Sequence, residues 1–330
     1  MIAKQNFRWG IIGTGGIART FARDVSKLDG HRIAAVGSRT LAKSEEFARE
    51  FGAVPHGSYE NLVNSEVDAV YVATPHSLHA KNSILALNSK KPVLCEKPFA
   101  VNSHQVQQMI ETSHRNSVAL MEGMWSRFLP HYRLAREIIA SGELGELVAI
   151  YADHGQHLPA SRYYRLHAPE LAGGSLLDLG IYPISLAFMI LGRPDSIIAA
   201  SQPTDTGVDA QTSIVFSYFS GQQAVLTATL KVRTPCTAQI IGTKGRIEFD
   251  SYFYAPTDMR VILDGKLARE YPKHYEGHGI REEAKEFSKL VQSGYLESPL
   301  MKHSESLEIM ESMDEIRKII GLWYPFETFS

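Results

Sequence analysis

The sequence predicts an α/β protein in two parts, a doubly wound parallel sheet first and an α+β part with an antiparallel sheet behind it. Three observations carry this. Apolar runs of strand length alternate with helix-spaced segments as far as residue 120, and a glycine-rich turn follows the first run. Beyond residue 190, short strand-like runs succeed one another with Gly, Pro and Asp turns between them. A chain of 330 residues is long for one core, so residues 1–122 and 123–330 are expected to form separate domains.

Phe7–Ile12 reads as the first strand and runs into Gly13-Thr14-Gly15-Gly16-Ile17-Ala18, after which Phe21, Ala22, Val25 and Leu28 continue at helical spacing. This is a GxGxxA dinucleotide fingerprint between strand and helix. Gly13 permits the tight turn, Gly15 lets backbone approach a pyrophosphate, and Ala18 lets the helix pack closely on the strand. Free N–H groups at the helix start then hold the anion.

A second strand, 32–37, ends in Ser38-Arg39-Thr40, where a site for NAD normally carries an acid for the ribose 2′-hydroxyl. Two hydroxyls and a guanidinium suit a 2′-phosphate instead, so NADP is expected rather than NAD. A further strand, 67–73, leads to Thr74-Pro75-His76, with Thr74 and Pro75 expected near the nicotinamide ribose. His76 and His79 fit hydrogen-bonding or capping roles at the start of the helix His79–Asn88. The next strand, Val93–Glu96, is apolar and stops at Glu96-Lys97-Pro98, which delivers an ammonium group to the rim where open α/β sheets place their ligands.

Composition narrows the partners. A formal net charge of −2 gives no electrostatic case for nucleic acid or an anionic membrane. Two cysteines, Cys95 and Cys236, fit a reducing cytoplasm, and residues 1–9 lack the apolar core of a signal peptide. No apolar run of about eighteen residues is evident to the eye, so no membrane span is expected. Asp153, His154 and His157 do not form a recognisable ligand pattern, and no metal is expected.

With the fingerprint, Ala73-Thr74-Pro75 and Glu96-Lys97-Pro98 in this order, the sequence resembles the glucose–fructose oxidoreductase and inositol dehydrogenase (Gfo/Idh/MocA) family over nearly its whole length. Residues 122–128 (EGMWSRF) and 173–183 (GGSLLDLGIYP) look like the branch with dimeric dihydrodiol dehydrogenase and NADP-dependent D-xylose dehydrogenase. The resemblance implies a Rossmann domain followed by a domain with a large open, mostly antiparallel sheet. It implies that Lys97 and Tyr182 are catalytic, that Glu96 and Lys97 border the cofactor, and that the Lys97-Pro98 bond is cis. Many inositol dehydrogenase-like members carry histidine where this chain has Tyr182, so tyrosine points towards sugars and dihydrodiols.

In the second half, an irregular stretch, 154–172, is where substrate contacts are expected, and Trp125, Arg127, His154 and Arg165 are the candidates. A helix beginning near Ser175 would place Asp178 and Tyr182 on one face. Strands are expected near 196–201, 211–218, 222–230, 237–241 and 246–249, then helices near 280–293 and 304–320. Such a sheet has a face to cover, and a homodimer or dimer of dimers through it is expected.

The chemistry implied is hydride transfer with a sugar, cyclic polyol or dihydrodiol. A free tyrosine has a pKa near 10, and a neighbouring ammonium lowers it by roughly 1 to 3 units. Tyr182 then exchanges the proton while Lys97 lowers its pKa and Asp178 orients substrate or Lys97. The sequence equally allows Lys97 to move the proton with Tyr182 as hydrogen-bonding partner. A catalytically silent NADP-binding sensor is the alternative from another class.

Overall fold

The computed structural model describes residues 6–161 and 164–327, so residues 1–5 of the N-terminal segment and 162 and 163 of the irregular stretch lie outside it. The chain divides into two compact units, Met1–Trp125 with Gly277–Leu307, and Ser126–Glu276 with Glu308–Ser330. The first unit therefore takes back a late segment of the chain.

In the first unit, β1 (Phe7–Ile12), β2 (His31–Gly37), β3 (Val54–His56), β4 (Ala69–Val72), β5 (Val93–Glu96) and β6 (Leu120–Gly123) form one parallel sheet in the order β3-β2-β1-β4-β5-β6. β4, β5 and β6 are buried at every residue and β1 at all but Arg8, as in a parallel sheet covered on both faces, while β3 lies at the more exposed edge. Helices α1 (Gly16–Val25), α2 (Leu41–Phe51), α3 (Tyr59–Val63), α4 (His79–Asn88) and α5 (Ser103–Asn116) make the crossovers. Two of them carry side-chain caps: Ser58 accepts from Asn61 N–H at 3.1 Å, and Asn102 from Gln105 N–H at 3.0 Å. Below α1, Phe21 stacks on Tyr71 at 3.7 Å between ring centroids, and Trp9 meets Phe21 edge-on at 5.2 Å. Trp9 also packs on Phe287, at 6.0 Å, which belongs to the returning segment.

The second unit holds α6 (Pro130–Ala140), β7 (Leu147–Gly155), α7 (Ile181–Leu191), β8 (Ser196–Pro203), β9 (Asp209–Ser217), β10 (Gln223–Thr229), β11 (Ala238–Gly242), β12 (Gly245–Phe249), β13 (Met259–Leu263) and β14 (Lys266–Tyr271). Its eight strands lie in the order β14-β13-β12-β11-β7-β10-β9-β8. Only β7 with β10 is parallel, so the sheet is not a plain meander: β7 is inserted between β11 and β10. α8 (Arg281–Gln292) and α9 (His303–Ile320) complete the described helices.

Two further differences from the sequence reading have clear causes. β13 and β14 were not anticipated, although Asp264 and Gly265 between them take φ of +48° and +75°, as a two-residue hairpin turn requires. The stretch Pro169–Leu191 is, by length and composition, apolar enough to cross a membrane, contrary to the reading above. Some 83% of its most apolar window is buried inside the fold, so core packing accounts for its hydropathy.

Candidate active site

The β1–α1 turn has the form that a pyrophosphate needs. Gly13 takes φ +109°, and a Cβ there would come within 2.5 Å of the Ala73 carbonyl oxygen at the end of β4. Gly15 and Gly16 are exposed, with no heavy atom within 4 Å of where a side chain would begin. Gly15 caps α1 without any side-chain hydrogen bond, leaving the first-turn N–H groups for an anion. Thr14 and Ile17 are half-buried beside them, and Arg19 donates to the Thr14 carbonyl at 3.1 Å. These residues fit a dinucleotide.

At the end of β2, Ser38 is buried, whereas Arg39 and Thr40 are exposed. Replacing Arg39 with aspartate is expected to raise the KM for NADP by about 10- to 100-fold and to leave that for NAD little changed. Steady-state assays with each coenzyme check this, and an unaltered NADP preference would contradict the assignment.

Thr74 is buried and its hydroxyl accepts from Asn82 at 3.1 Å; Pro75 is half-buried. His79 lies between two strand-end turns, Nε2 at 2.8 Å from the Thr74 carbonyl and Nδ1 at 2.8 Å from that of Pro98. Burial pushes its pKa down to about 3, with the charges of His76 and Lys97 acting in the same direction. A neutral ring has one N–H, so only one of these contacts is a hydrogen bond at a time. His79 thus ties the β4 turn to the β5 turn.

The Lys97-Pro98 bond is cis, and Lys97 is half-buried at the C-terminal end of β5. Glu96 is buried and accepts from the Lys97 N–H at 3.2 Å and from the Tyr71 hydroxyl. Trp125 closes this part of the chain with its ring 4.6 Å from that of His278. The His278 loop is held by Asp24 of α1, which accepts from the N–H groups of His278, Gly279 and Arg281 at 3.2, 2.9 and 3.1 Å.

Asp178 and Tyr182 belong to the second unit. A π-turn, Leu176–Gly180, precedes α7, and the two residues lie on either side of the junction, so ordinary α-helical spacing does not relate them. Asp209 anchors the start of this segment. One of its oxygens accepts from Ser175 Oγ at 2.6 Å, Leu176 N–H at 2.7 Å and Thr212 Oγ1 at 2.8 Å. Burial pushes its pKa up to about 6 despite those donors. Gly174, at φ +113°, leaves room for its other oxygen, and the Tyr324 hydroxyl holds the Gly173 carbonyl at 2.6 Å. The glycine pair before Ser175 is therefore a packing requirement.

Around Tyr182 stand two further rings. Its centroid is 5.2 Å from His154 and 4.8 Å from Tyr254, and those two stack at 4.0 Å. Gln156 Nε2 lies 3.0 Å from His154 Nε2 and 3.4 Å from the Tyr254 hydroxyl. Arg165, exposed, pairs with Asp178 at 3.1 Å. Arg127 is 1% exposed and donates to Ser185 Oγ and its carbonyl, both at 2.8 Å, which makes it a tie to α7. Sequence reasoning missed Tyr254, Gln156 and His278. The aromatic run Tyr252-Phe253-Tyr254, in a turn after β12, was the one available signal.

Among the described residues no group of three His, Cys, Asp or Glu could hold a metal. A parallel sheet in this strand order, with an uncapped glycine turn and a lysine at its rim, defines a nicotinamide dinucleotide-dependent oxidoreductase. Residues 7–124 match the oxidoreductase family with NAD-binding Rossmann fold, and 132–248 the Gfo/Idh/MocA C-terminal domain. The chain belongs to the Gfo/Idh/MocA family.

It is 35% identical to trans-1,2-dihydrobenzene-1,2-diol dehydrogenase of Danio rerio, covering 96% of this chain and 98% of that one. It is also 35% identical to D-xylose 1-dehydrogenase (NADP(+)) of Hypocrea jecorina, with 96% and 93% covered. The solved aldose–aldose oxidoreductase of Caulobacter crescentus, complexed with glycerol, has a TM-score of 0.86 at 25% identity, covering 96% and 97%. A 3-ketoreductase from Actinomadura kijaniata, in complex with NADP and TDP-benzene, shares the fold at TM-score 0.86 and 24% identity, covering 96% and 98%.

Proposed function

We propose that this chain is an NADP-dependent oxidoreductase acting on a secondary alcohol or carbonyl of a sugar, a cyclic polyol or a related diol. The observation that carries the reading is Lys97 at the rim of the sheet whose first turn is built for a dinucleotide. Residues 1–122 supply the cofactor site: Gly13, Thr14, Gly15, Gly16 and Ile17 meet the pyrophosphate, and Ser38, Arg39 and Thr40 the 2′-phosphate. Thr74, Pro75, Glu96 and Lys97 border the nicotinamide end, with His79 fixing the turns behind them. When bound, the nicotinamide supplies or accepts the hydride at the reacting carbon.

Residues 123–330 supply substrate contacts and self-association. Tyr182 exchanges the hydroxyl proton, and the Lys97 ammonium favours its phenolate and hydrogen-bonds the substrate oxygen. Asp178, held by Arg165, orients the substrate, and the His154–Tyr254 stack presents an aromatic wall beside Tyr182. Trp125 contacts substrate or nicotinamide, while Arg127 supports α7. The relatives named above favour a dihydrodiol and a pentose to the same degree. A screen of sugars, polyols and trans-dihydrodiols against NADP and NAD, followed by reduced-nicotinamide absorbance, tests this. Coenzyme binding with no turnover on any of them would replace it with a nucleotide sensor.

We further infer a homodimer, or a dimer of dimers, through the open sheet. On its outer face Ile198, Val215, Val225 and Tyr151 are cross-strand neighbours on β8, β9, β10 and β7, an apolar row across four strands. Ile198, Val225 and Tyr151 are exposed in the single chain. Val225→Lys is expected to weaken self-association by roughly 30-fold or more, measured by sedimentation. A wild-type chain that sediments as a monomer would exclude it. The buried free thiols Cys95 and Cys236 agree with a cytoplasmic location.

A further inference from the structure

Three carboxyl groups are packed out of water within the first unit: Glu96 on β5, Glu122 on β6 and Glu283 in the first turn of α8, exposed by 4%, 2% and 0%. Their hydrogen bonds are unequal. Glu96 accepts from the Tyr71 hydroxyl and, at 3.2 Å, the Lys97 N–H. Glu122 accepts from the Phe99 N–H at 3.1 Å and the Ser306 hydroxyl at 2.8 Å. Among the described residues, neither oxygen of Glu283 has a hydrogen-bond partner. Its carboxyl lies over Gly123, where a Cβ would come within 3.4 and 3.5 Å of the two oxygens.

A buried carboxylate without donors is costlier than the neutral acid, so the proton belongs on Glu283 rather than on either neighbour, each of which accepts from donors. The donors matter for function. Lys97 N–H and Phe99 N–H flank Pro98, so Glu96 and Glu122 grip the backbone on both sides of the turn that carries Lys97. We propose that Glu283 and Glu122 are positioning residues: Glu283, held as a neutral acid, keeps a further charge away from the Glu96 and Glu122 carboxyls that fix the Lys97 turn. Loss of the Glu283 proton puts a new charge beside them and loosens that grip. This rests on the reading of Lys97 as the ammonium beside the reacting carbon.

The groups facing Glu283 are Tyr71 on β4, Glu96 on β5 and Glu122 on β6, with Cys95 beside Tyr71; Asp24 on α1 sits at the start of α8, satisfied by backbone N–H groups. Burial raises the pKa of Tyr71 and of Cys95, so both stay neutral. Burial and the repulsion of Glu96 and Glu122 hold the Glu283 proton well above the usual carboxylate range. The folded state then binds one more proton than the unfolded chain once pH exceeds about 4.5, so stability falls as pH rises towards the folded pKa.

The test compares wild type with Glu283→Gln. Infrared spectra of the wild-type protein at pH 7 are expected to show a protonated carboxyl band that Glu283→Gln lacks. Melting temperature should fall with pH more steeply in wild type, so the gap between the two widens from pH 5 to pH 9. The alkaline fall in kcat should move up by roughly one pH unit or more in Glu283→Gln. Glu122→Gln should lower kcat more than it raises the KM for NADP. No carboxyl band and parallel melting curves would overturn the proposal, and an unmoved alkaline limb would overturn the positioning role. Full activity of Lys97→Ala would instead overturn the reading of Lys97, since the infrared and melting results do not depend on it.

Discussion

Tyr182→Phe is expected to lower kcat by about 10²- to 10⁴-fold while NADP binding stays within a few-fold of wild type. The substitution removes one oxygen and leaves the ring in place against His154 and Tyr254, at 5.2 and 4.8 Å, so the aromatic wall persists. What is lost is the hydroxyl proposed to exchange the substrate proton. Steady-state kinetics alongside a coenzyme fluorescence titration separate the two effects. Near-normal turnover would move the proton to Lys97, and equal losses in turnover and coenzyme affinity would mean that the helix itself had shifted.

Gly13→Ala is the second large effect, and it acts on folding and binding together. At φ +109° the new methyl group is strained in any surroundings, and here it meets the Ala73 carbonyl oxygen at 2.5 Å and its carbon at 3.0 Å. Both are backbone atoms at the end of a central strand and cannot swing aside. A loss of about 2–4 kcal/mol in stability is expected, with NADP affinity falling too. Gly15→Ala is the contrast: nothing lies within 4 Å of its new methyl, so melting should be unaffected while coenzyme binding weakens. Calorimetry with and without NADP distinguishes the two, and equal stability losses would remove the distinction.

The dinucleotide half was legible because its signals are local. A buried parallel strand such as Val93–Glu96 is a bare apolar run, and the glycines of the first turn have conformational and steric needs that few other residues meet. The catalytic candidates Lys97 and Tyr182 were legible only through resemblance, since a lysine before a proline and a tyrosine in an apolar helix are ordinary. Tyr254 and His278 were not legible, because each is brought to its ring partner from a loop remote in sequence. The π-turn at Leu176–Gly180 is likewise silent in composition; it depends on Asp209, thirty-one residues past Asp178, holding the segment's start. Strand β7 taking β10 as a parallel neighbour also escapes a pattern read one run at a time.

The first unit recruits Gly277–Leu307, with Phe287 against Trp9 and Asp24 bound to the backbone of residues 278–281. During translation, then, the nucleotide-binding half waits with an open seam until most of the polypeptide has left the ribosome. An early-terminated product ending near residue 276 would carry every glycine of the fingerprint and still lack part of its own core, exposing Trp9 to chaperones and proteases.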